Sequence, residues 1–181
     1  LGAGCGIINS IVGGGHSAEK VVRGNLEGTS VAVDVISSNG SIWVRSDPKA
    51  QRVSIEAIVR AGGKSDAEAK KRLAGSSLVS EVIDGAVRVR LKFPAPSFDN
   101  DGARITIIVP HLKAVTAKST NGRISILNST GMADVTTTNG AVEMSSCTAD
   151  VKASTTNGQI TVLDCLARIE LNTTNGNVIV R

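Results

Sequence analysis

The C-terminal part of the chain alternates apolar and polar residues in short segments that recur at a fixed interval. The dipeptide Asn-Gly occurs at Asn121, Asn139, Asn157 and Asn175, so successive copies are 18 residues apart. Apolar residues fall three and five positions after each Asn, and six and four positions before it. Alternation with a period of two is typical of a β-strand with one buried face. Each repeat therefore predicts two short strands.

One such unit cannot bury its own apolar face, so equivalent positions of successive repeats are expected to stack about 4.8 Å apart. This predicts an all-β fold, a β-solenoid with 18-residue repeats. The side chains of Asn121, Asn139, Asn157 and Asn175 are expected to form a structural ladder, and each following Gly to take a positive φ. The alternative is an up-and-down sandwich, because Asn-Gly is also the preferred two-residue hairpin turn.

A less regular pattern precedes the repeats. Val33, Val35, Ile42 and Val44 hold the repeat offsets around Asn39. Alternating strands are also predicted at 52–60, 78–83, 87–93 and 104–109, with Asp84-Gly85 as a hairpin turn. Ser65 and Glu68 form a capping box and Gly75 is a stop signal, which together predict one short surface helix near 66–74. We expect a single β domain over 21–181, irregular over 21–110 and regularly repeated over 111–181.

Composition restricts the core and the partners. Aromatic residues make up 2% of the chain, with one Trp, so the core must be aliphatic. The formal net charge of +4 allows a weak preference for anionic surfaces but is not a signature of nucleic-acid binding. The run Leu1 to Cys5 resembles the end of a bacterial lipoprotein signal, so residues 1–20 are interpreted as a flexible leader with lipid attachment at Cys5. Membrane association is expected only through this anchor.

Two stretches of sequence resemble a known family. They are V-D-V-I-S-S-N-G-S-I-W-V and I-T-I-I-V-P-H-L-K-A-V-T-A-K-S-T-N-G-R-I-S-I, the second followed by successive T-T-N-G repeats. Over roughly Val31 to Arg181 the chain resembles the bacterial "putative adhesin" family of β-strand repeat proteins. The resemblance implies a right-handed β-helix-like fold on an exported, envelope-anchored or secreted protein. It supplies no catalytic residue.

The remaining chemistry favours binding over catalysis. No spacing of His, Cys, Asp or Glu predicts a catalytic, cofactor or metal site, and the segment from Asp99 to Gly102 is interpreted as a polar turn. Cys147 and Cys165 share one column of the repeat and are expected to be buried thiols. Arg88, Arg90 and Lys92 alternate along one strand and form a candidate patch for an anionic partner, which Arg45, Arg52 or Arg60 could extend.

The predicted function is a non-enzymatic structural or binding module of the cell envelope, whose ligand is an anionic polymer or a protein. One alternative is a scaffold that assembles by end-to-end stacking of the repeats. The other is a carbohydrate-binding or carbohydrate-active protein that uses Trp43.

Overall fold

The computed structural model describes residues 6–9 and 16–181. The strands are β1 (Gly6–Asn9), β2 (Ser17–Leu26), β3 (Ser30–Asn39), β4 (Ile42–Ser46), β5 (Val53–Gly62), β6 (Ser77–Ile83), β7 (Ala86–Lys92), β8 (Gly102–Val109), β9 (His111–Asn121), β10 (Ile124–Leu127), β11 (Ala133–Thr137), β12 (Val142–Ser145), β13 (Val151–Thr155), β14 (Ile160–Leu163), β15 (Ile169–Thr173) and β16 (Val178–Val180). The helix α1 spans Asp66–Gly75. Leu1 to Cys5, including the predicted lipid-attachment residue, lie outside the described residues.

The described strands form two layered sheets around one aliphatic core. Sheet 1 has nine strands in the order β1-β2-β5-β8-β4-β10-β12-β14-β16. Sheet 2 has seven strands in the order β15-β13-β11-β9-β3-β7-β6. Each repeat contributes one strand to each sheet. Most of the inward residues predicted from the alternation are buried, among them Val115, Ile124, Val135 and Ile160, whereas Val178 and Val180 of β16 are 47% and 53% exposed.

The predicted right-handed β-solenoid is wrong as a description of this fold. Both sheets mix parallel and antiparallel strands: β1, β2, β5 and β8 pair antiparallel at one end of sheet 1, and β6 pairs antiparallel with β7 in sheet 2. Parallel, in-register pairing relates the repeat strands, as in Ile124↔Val142↔Ile160, and it also joins β3 to β7 and β4 to β8. Apart from β3 and β4, which flank the Asn39 copy of the motif, the strands before β9 differ from the repeat in length and connection, so they extend the sheets without repeating the unit.

The Asn39 copy of the motif joins the two parts of the molecule. Across an interval of 82 residues, β3 pairs in parallel with β9 and β4 with β10. This pairing aligns Asn39 with Asn121 and Ile42 with Ile124. The Asn-Gly segments of the repeats are corners between the sheets and not hairpins, since the strands on either side belong to different sheets.

The glycines of the repeat are required for a reason that differs from the prediction. Among them only Gly40 has a positive φ, of 110°. A Cβ on Gly140 would lie 2.1 Å from the carbonyl oxygen of Gly122 in the preceding repeat, and a Cβ on Gly158 would lie 2.0 Å from that of Gly140. Gly122, Gly140, Gly158 and Gly176 are therefore fixed by the close approach of stacked backbones.

The helix is more than a surface element. Its N-terminus is capped as predicted, because the side chain of Ser65 accepts a hydrogen bond from the backbone N–H of Glu68. The helix includes Gly75 and ends at the cap residue Ser76. It lies against β2 and β5, and Ala69 and Leu73 belong to the core. The short surface helix predicted near 66–74 is therefore present, and its inward side packs Ala69 and Leu73 on the core.

The hairpin predicted at Asp84-Gly85 is confirmed. The φ angles of Asp84 and Gly85 are 51° and 76°, and the flanking strands β6 and β7 pair antiparallel. Positive φ at both central residues is the geometry of the two-residue turn that suits a twisted hairpin.

Candidate binding face

The outer face of sheet 2 is covered by alternating charges. One row of paired positions runs across the strands and reads Arg88, Asp34, Thr116, Asp134, Lys152 and Glu170. Arg90 lies 2.5 Å from Asp34, and Lys152 lies 3.2 Å from Glu170. Opposite charges on neighbouring strands stabilise each other and keep the surface hydrated. The same face also carries Ile36, which is 41% exposed.

The predicted basic patch lies on this face. Arg88 and Arg90 share the carboxylate of Asp34, at 3.9 Å and 2.5 Å, and Arg90 also donates to the backbone oxygen of Asp34 at 2.8 Å. Lys92 is exposed at the end of β7. Arg45 and Arg60, which were expected to extend the patch, lie in sheet 1. The structure therefore does not gather these arginines into one basic surface.

The outer face of sheet 1 is different because it exposes an aromatic ring. The side chain of Trp43 points away from the core between the buried Ile42 and Val44, and the residue is 47% exposed. Its neighbours across the sheet are Thr106 on β8 and Ser125 on β10. The sequence contained this signal, since an alternation that buries residues 42 and 44 must turn residue 43 outward.

Apolar side chains continue from Trp43 into the adjacent row. There Arg45 pairs with Ile108 on one side and with Leu127 on the other. Leu127 is 37% exposed and Ile108 is half-buried. A shallow cavity of about 320 Å³ lies here, lined by Trp43, Arg45, Thr106, Ile108, Ser125 and Leu127.

A second depression, of about 600 Å³, lies on the other side of Trp43. Its lining adds Ser41, Glu56, Ile58, Arg104 and Arg123 to Trp43 and Thr106. Two of the charged groups are already paired: Glu56 accepts from Arg23 at 2.7 Å, and Arg123 lies 3.2 Å from Glu143. Arg104 is exposed and makes no ion pair with any residue in the described part of the chain. A ring, a cation and several hydroxyl groups therefore converge on one site.

The asparagine side chains form a continuous ladder beside the Thr residues at the corners. Each Nδ2 donates to the Oδ1 of the Asn in the preceding repeat, at 2.7 to 2.8 Å. The ladder comprises Asn39, Asn121, Asn139, Asn157 and Asn175. At its first member, Nδ2 of Asn39 donates to the backbone oxygen of Asp101 at 2.8 Å. The ladder is exposed and has a structural role, since its members pair with each other.

A buried ion pair holds the loop that ends the ladder. The carboxylate of Asp101 pairs with the guanidinium of Arg72 and accepts from the backbone N–H groups of Gly62 and Phe98, at 2.9 Å each. Arg72 also donates to the backbone oxygens of Gly62 and Pro94, at 2.8 Å each. A buried pair is tolerated when its remaining polar atoms are bonded in this way. The polar-turn interpretation of Asp99 to Gly102 missed this pairing.

The two cysteines of the repeat have different environments. Cys147 is buried, Cys165 is half-buried, and both are free thiols. The prediction of a buried thiol is confirmed for Cys147 and wrong for Cys165. Burial, and to a smaller extent the neighbouring Cys165, raise the pKa of Cys147 from 9.0 to about 12.

The described residues contain neither a cluster of metal-ligating side chains nor a membrane-spanning helix. Within residues 6–9 and 16–181, no three His, Cys, Asp or Glu side chains lie close enough together to hold a metal ion. No helix in the same ranges has the length and hydropathy needed to cross a bilayer.

Comparison with known proteins establishes the fold but not a family. No family model and no curated protein matches the chain. The structure is similar to that of a "putative cell adhesion protein" from Clostridium sporogenes, with a TM-score of 0.63, 9% identity, and coverage of 91% of this chain and 98% of that one. At this identity the likeness shows a shared fold alone.

Two further solved structures are more distant. A "putative adhesin" from Bacteroides fragilis has a TM-score of 0.38, 14% identity, and coverage of 89% of this chain and 97% of that one. A "putative adhesin" from Parabacteroides distasonis has a TM-score of 0.36, 11% identity, and coverage of 94% and 80%. These TM-scores are too low to support any conclusion about this chain.

Proposed function

We propose that the protein is a non-enzymatic binding module of the bacterial cell surface, and that it engages its ligand through the outer face of sheet 1 around Trp43. The observation that carries the proposal is the exposure of this Trp among Ile58, Ile108 and Leu127. An exposed aromatic side chain that is surrounded by apolar and hydroxyl groups is typical of a recognition site. The shared fold with the C. sporogenes cell adhesion protein supports a place at the cell surface.

The electrostatics of the face favour binding over acid–base catalysis. Glu56 and Glu143 are both held by arginines, at 2.7 Å and 3.2 Å. Both carboxylates are therefore engaged in ion pairs instead of facing a ligand unpaired. The charged groups are therefore suited to fixing a ligand in register on the sheet.

The proposal is tested with an immobilised panel of neutral glycans, acidic glycans and peptides, and with the fluorescence of the single Trp as a second readout. We expect binding to depend on Trp43 and to be lost in Trp43→Ala. The bound polymer should be recovered with its length unchanged. Met132→Ala is the matched control, because Met132 is an exposed apolar residue at 58% in a turn before β11.

Two outcomes would count against the proposal. Binding that survives Trp43→Ala would place the ligand elsewhere on the molecule, and cleavage of the polymer would replace binding with catalysis. The alternative of end-to-end assembly stays a prediction.

A further inference from the structure

Among the described residues, several arginines on the outer face of sheet 1 are paired with a carboxylate. Arg23, Arg60 and Arg123 each pair with a glutamate, at distances of 2.6 to 3.2 Å. Arg45 lies 3.9 Å from Asp47. Arg104 has no such partner among the described residues, although it lies in the middle of the face. Its neighbour on β5 is the uncharged Ile58.

The position of Arg104 relative to Trp43 is fixed by the sheet. Trp43 pairs with Thr106, and Arg104 precedes Thr106 by two residues on the same face of β8. From a rise of about 3.3 Å per residue and a strand spacing of about 4.8 Å, the two Cα atoms are about 8 Å apart. Both side chains border the depression of about 600 Å³. A single sugar ring that carries a carboxylate spans this separation.

We infer that this depression binds a carboxylate-bearing sugar unit of an acidic polysaccharide, with the sugar ring against Trp43 and the carboxylate on Arg104. The inference rests on the proposed function and names its ligand class. An indole ring packs on the apolar C–H face of a pyranose, while a guanidinium forms two parallel hydrogen bonds with a carboxylate. The hydroxyl groups of Ser41 and Thr106 lie beside both and can exchange hydrogen bonds with sugar hydroxyls.

The surroundings of the depression favour a glycan over a protein partner. Beyond Trp43 the same row continues with Ser125, Glu143 and Thr161, which are polar. The centre of a stable protein interface is instead apolar and depleted of charge. A chain of sugar units would meet hydroxyl and charged groups at each strand, which matches the hydrogen-bonding capacity of a polysaccharide.

The experiment compares three acidic polysaccharides of different linkage with their methyl-esterified forms. Polygalacturonate, alginate and hyaluronate are titrated against the fluorescence of Trp43 in wild-type protein, in Arg104→Gln and in Arg88→Gln. Esterification removes the charge of the carboxylate and leaves the polymer otherwise intact. Arg88→Gln is the matched control, because Arg88 is an arginine on the outer face of the opposite sheet.

We expect at least one acidic polymer to bind wild-type protein about 10-fold more tightly than its ester, because a hydrogen-bonded ionic contact is lost on esterification. Arg104→Gln should weaken binding of the acid by a similar factor and leave acid and ester indistinguishable. Arg88→Gln should retain the difference in affinity between the acidic polymer and its ester. Binding of the acid should also weaken as the salt concentration rises.

The failures of the inference and of the proposed function are distinguishable. Equal binding of acid and ester through Trp43, or Trp43-dependent binding of neutral glycans or peptides alone, overturns the carboxylate site and leaves the proposed binding face in place. If the difference in affinity between acid and ester is lost in Arg88→Gln but kept in Arg104→Gln, the anionic site lies on sheet 2 and the inference is also overturned. The absence of any Trp43-dependent binding contradicts both.

Discussion

Replacement of Gly140 by Ala tests the physical reason for the invariant glycine of the repeat. The new Cβ would lie 2.1 Å from the carbonyl oxygen of Gly122 and 2.6 Å from its carbonyl carbon. Contacts between carbon and carbonyl oxygen are ordinarily about 3.3 Å or longer, so two stacked backbones must separate by about 1 Å. Gly140 does not have a positive φ, so the strain comes from this contact and not from the backbone angle.

The separation should disrupt the hydrogen bonds on both sides of the glycine. The backbone N–H of Asn139 donates to Thr120 at 2.7 Å, and that of Ile124 donates to Ala141 at 2.9 Å. Overpacking costs about 1–3 kcal/mol, and each weakened hydrogen bond costs about 0.5–1.5 kcal/mol. We expect Gly140→Ala to lower the free energy of unfolding by about 3 kcal/mol. In a protein of this size this corresponds to a fall in Tm of about 6–12 °C.

Urea unfolding followed by circular dichroism measures the effect, with two matched glycine variants. A Cβ at Gly24 would meet its nearest atom at 3.7 Å, so Gly24→Ala should be neutral or slightly stabilising. Gly85 has open space and a φ of 76°, so Gly85→Ala should cost about 1–2 kcal/mol from the backbone angle alone. If Gly140→Ala costs no more than Gly85→Ala, the close backbone approach does not explain the repeat glycine.

Two further predictions concern buried polar groups. Ser119 Oγ is buried and makes no hydrogen bond with any described residue, whereas the equivalent Thr137 donates to a glycine carbonyl at 3.2 Å. Ser119→Thr should therefore stabilise the protein by about 0.5–1.5 kcal/mol in the same unfolding assay, with Thr137→Ser as the reverse control. A destabilised Ser119→Thr variant would show that the first corner cannot accept the Thr geometry. The pKa of Cys147 is raised from 9.0 to about 12 in the folded protein, so the thiol of the unfolded chain ionises first as the pH rises. The stability that this group contributes is therefore complete below pH 9 and is lost as the pH rises toward 12. Cys147→Ser should therefore lose less stability than wild type between pH 8 and pH 10.5, and parallel losses in the two proteins would contradict the assignment.

The repeat region was accessible to sequence reasoning because its contacts are nearly periodic. When residues 18 apart become neighbours, one register determines every other, as the pairs Ile124↔Val142 and Ile160↔Val178 show. The alternation also identified the buried faces; it implies the outward direction of Trp43 as well, although that direction was not among the predictions. The solenoid prediction was wrong because the regularity of the repeats was extended to the N-terminal strands, which do not repeat.

The N-terminal strands could not be placed in this way. Alternation shows which face of a strand is buried but not which strand lies beside it. The antiparallel pairing of β2 with β5 and of β5 with β8 depends on the packing of the whole chain. The buried pair of Arg72 and Asp101 was hidden for a related reason, since nothing in a surface-like helix and a polar turn signals that they meet.

By itself, the sequence determined the strands of the repeat, their inward residues and the column of Asn side chains, because each follows from a fixed interval along the chain. Only the tertiary structure decided what required long-range pairing. It divided the strands between two mixed sheets, assigned the repeat glycines to backbone contact, and placed Arg104 about 8 Å from Trp43 by the strand geometry. These two residues are far apart in the chain, and the alignment of β4 with β8 brings them to one surface.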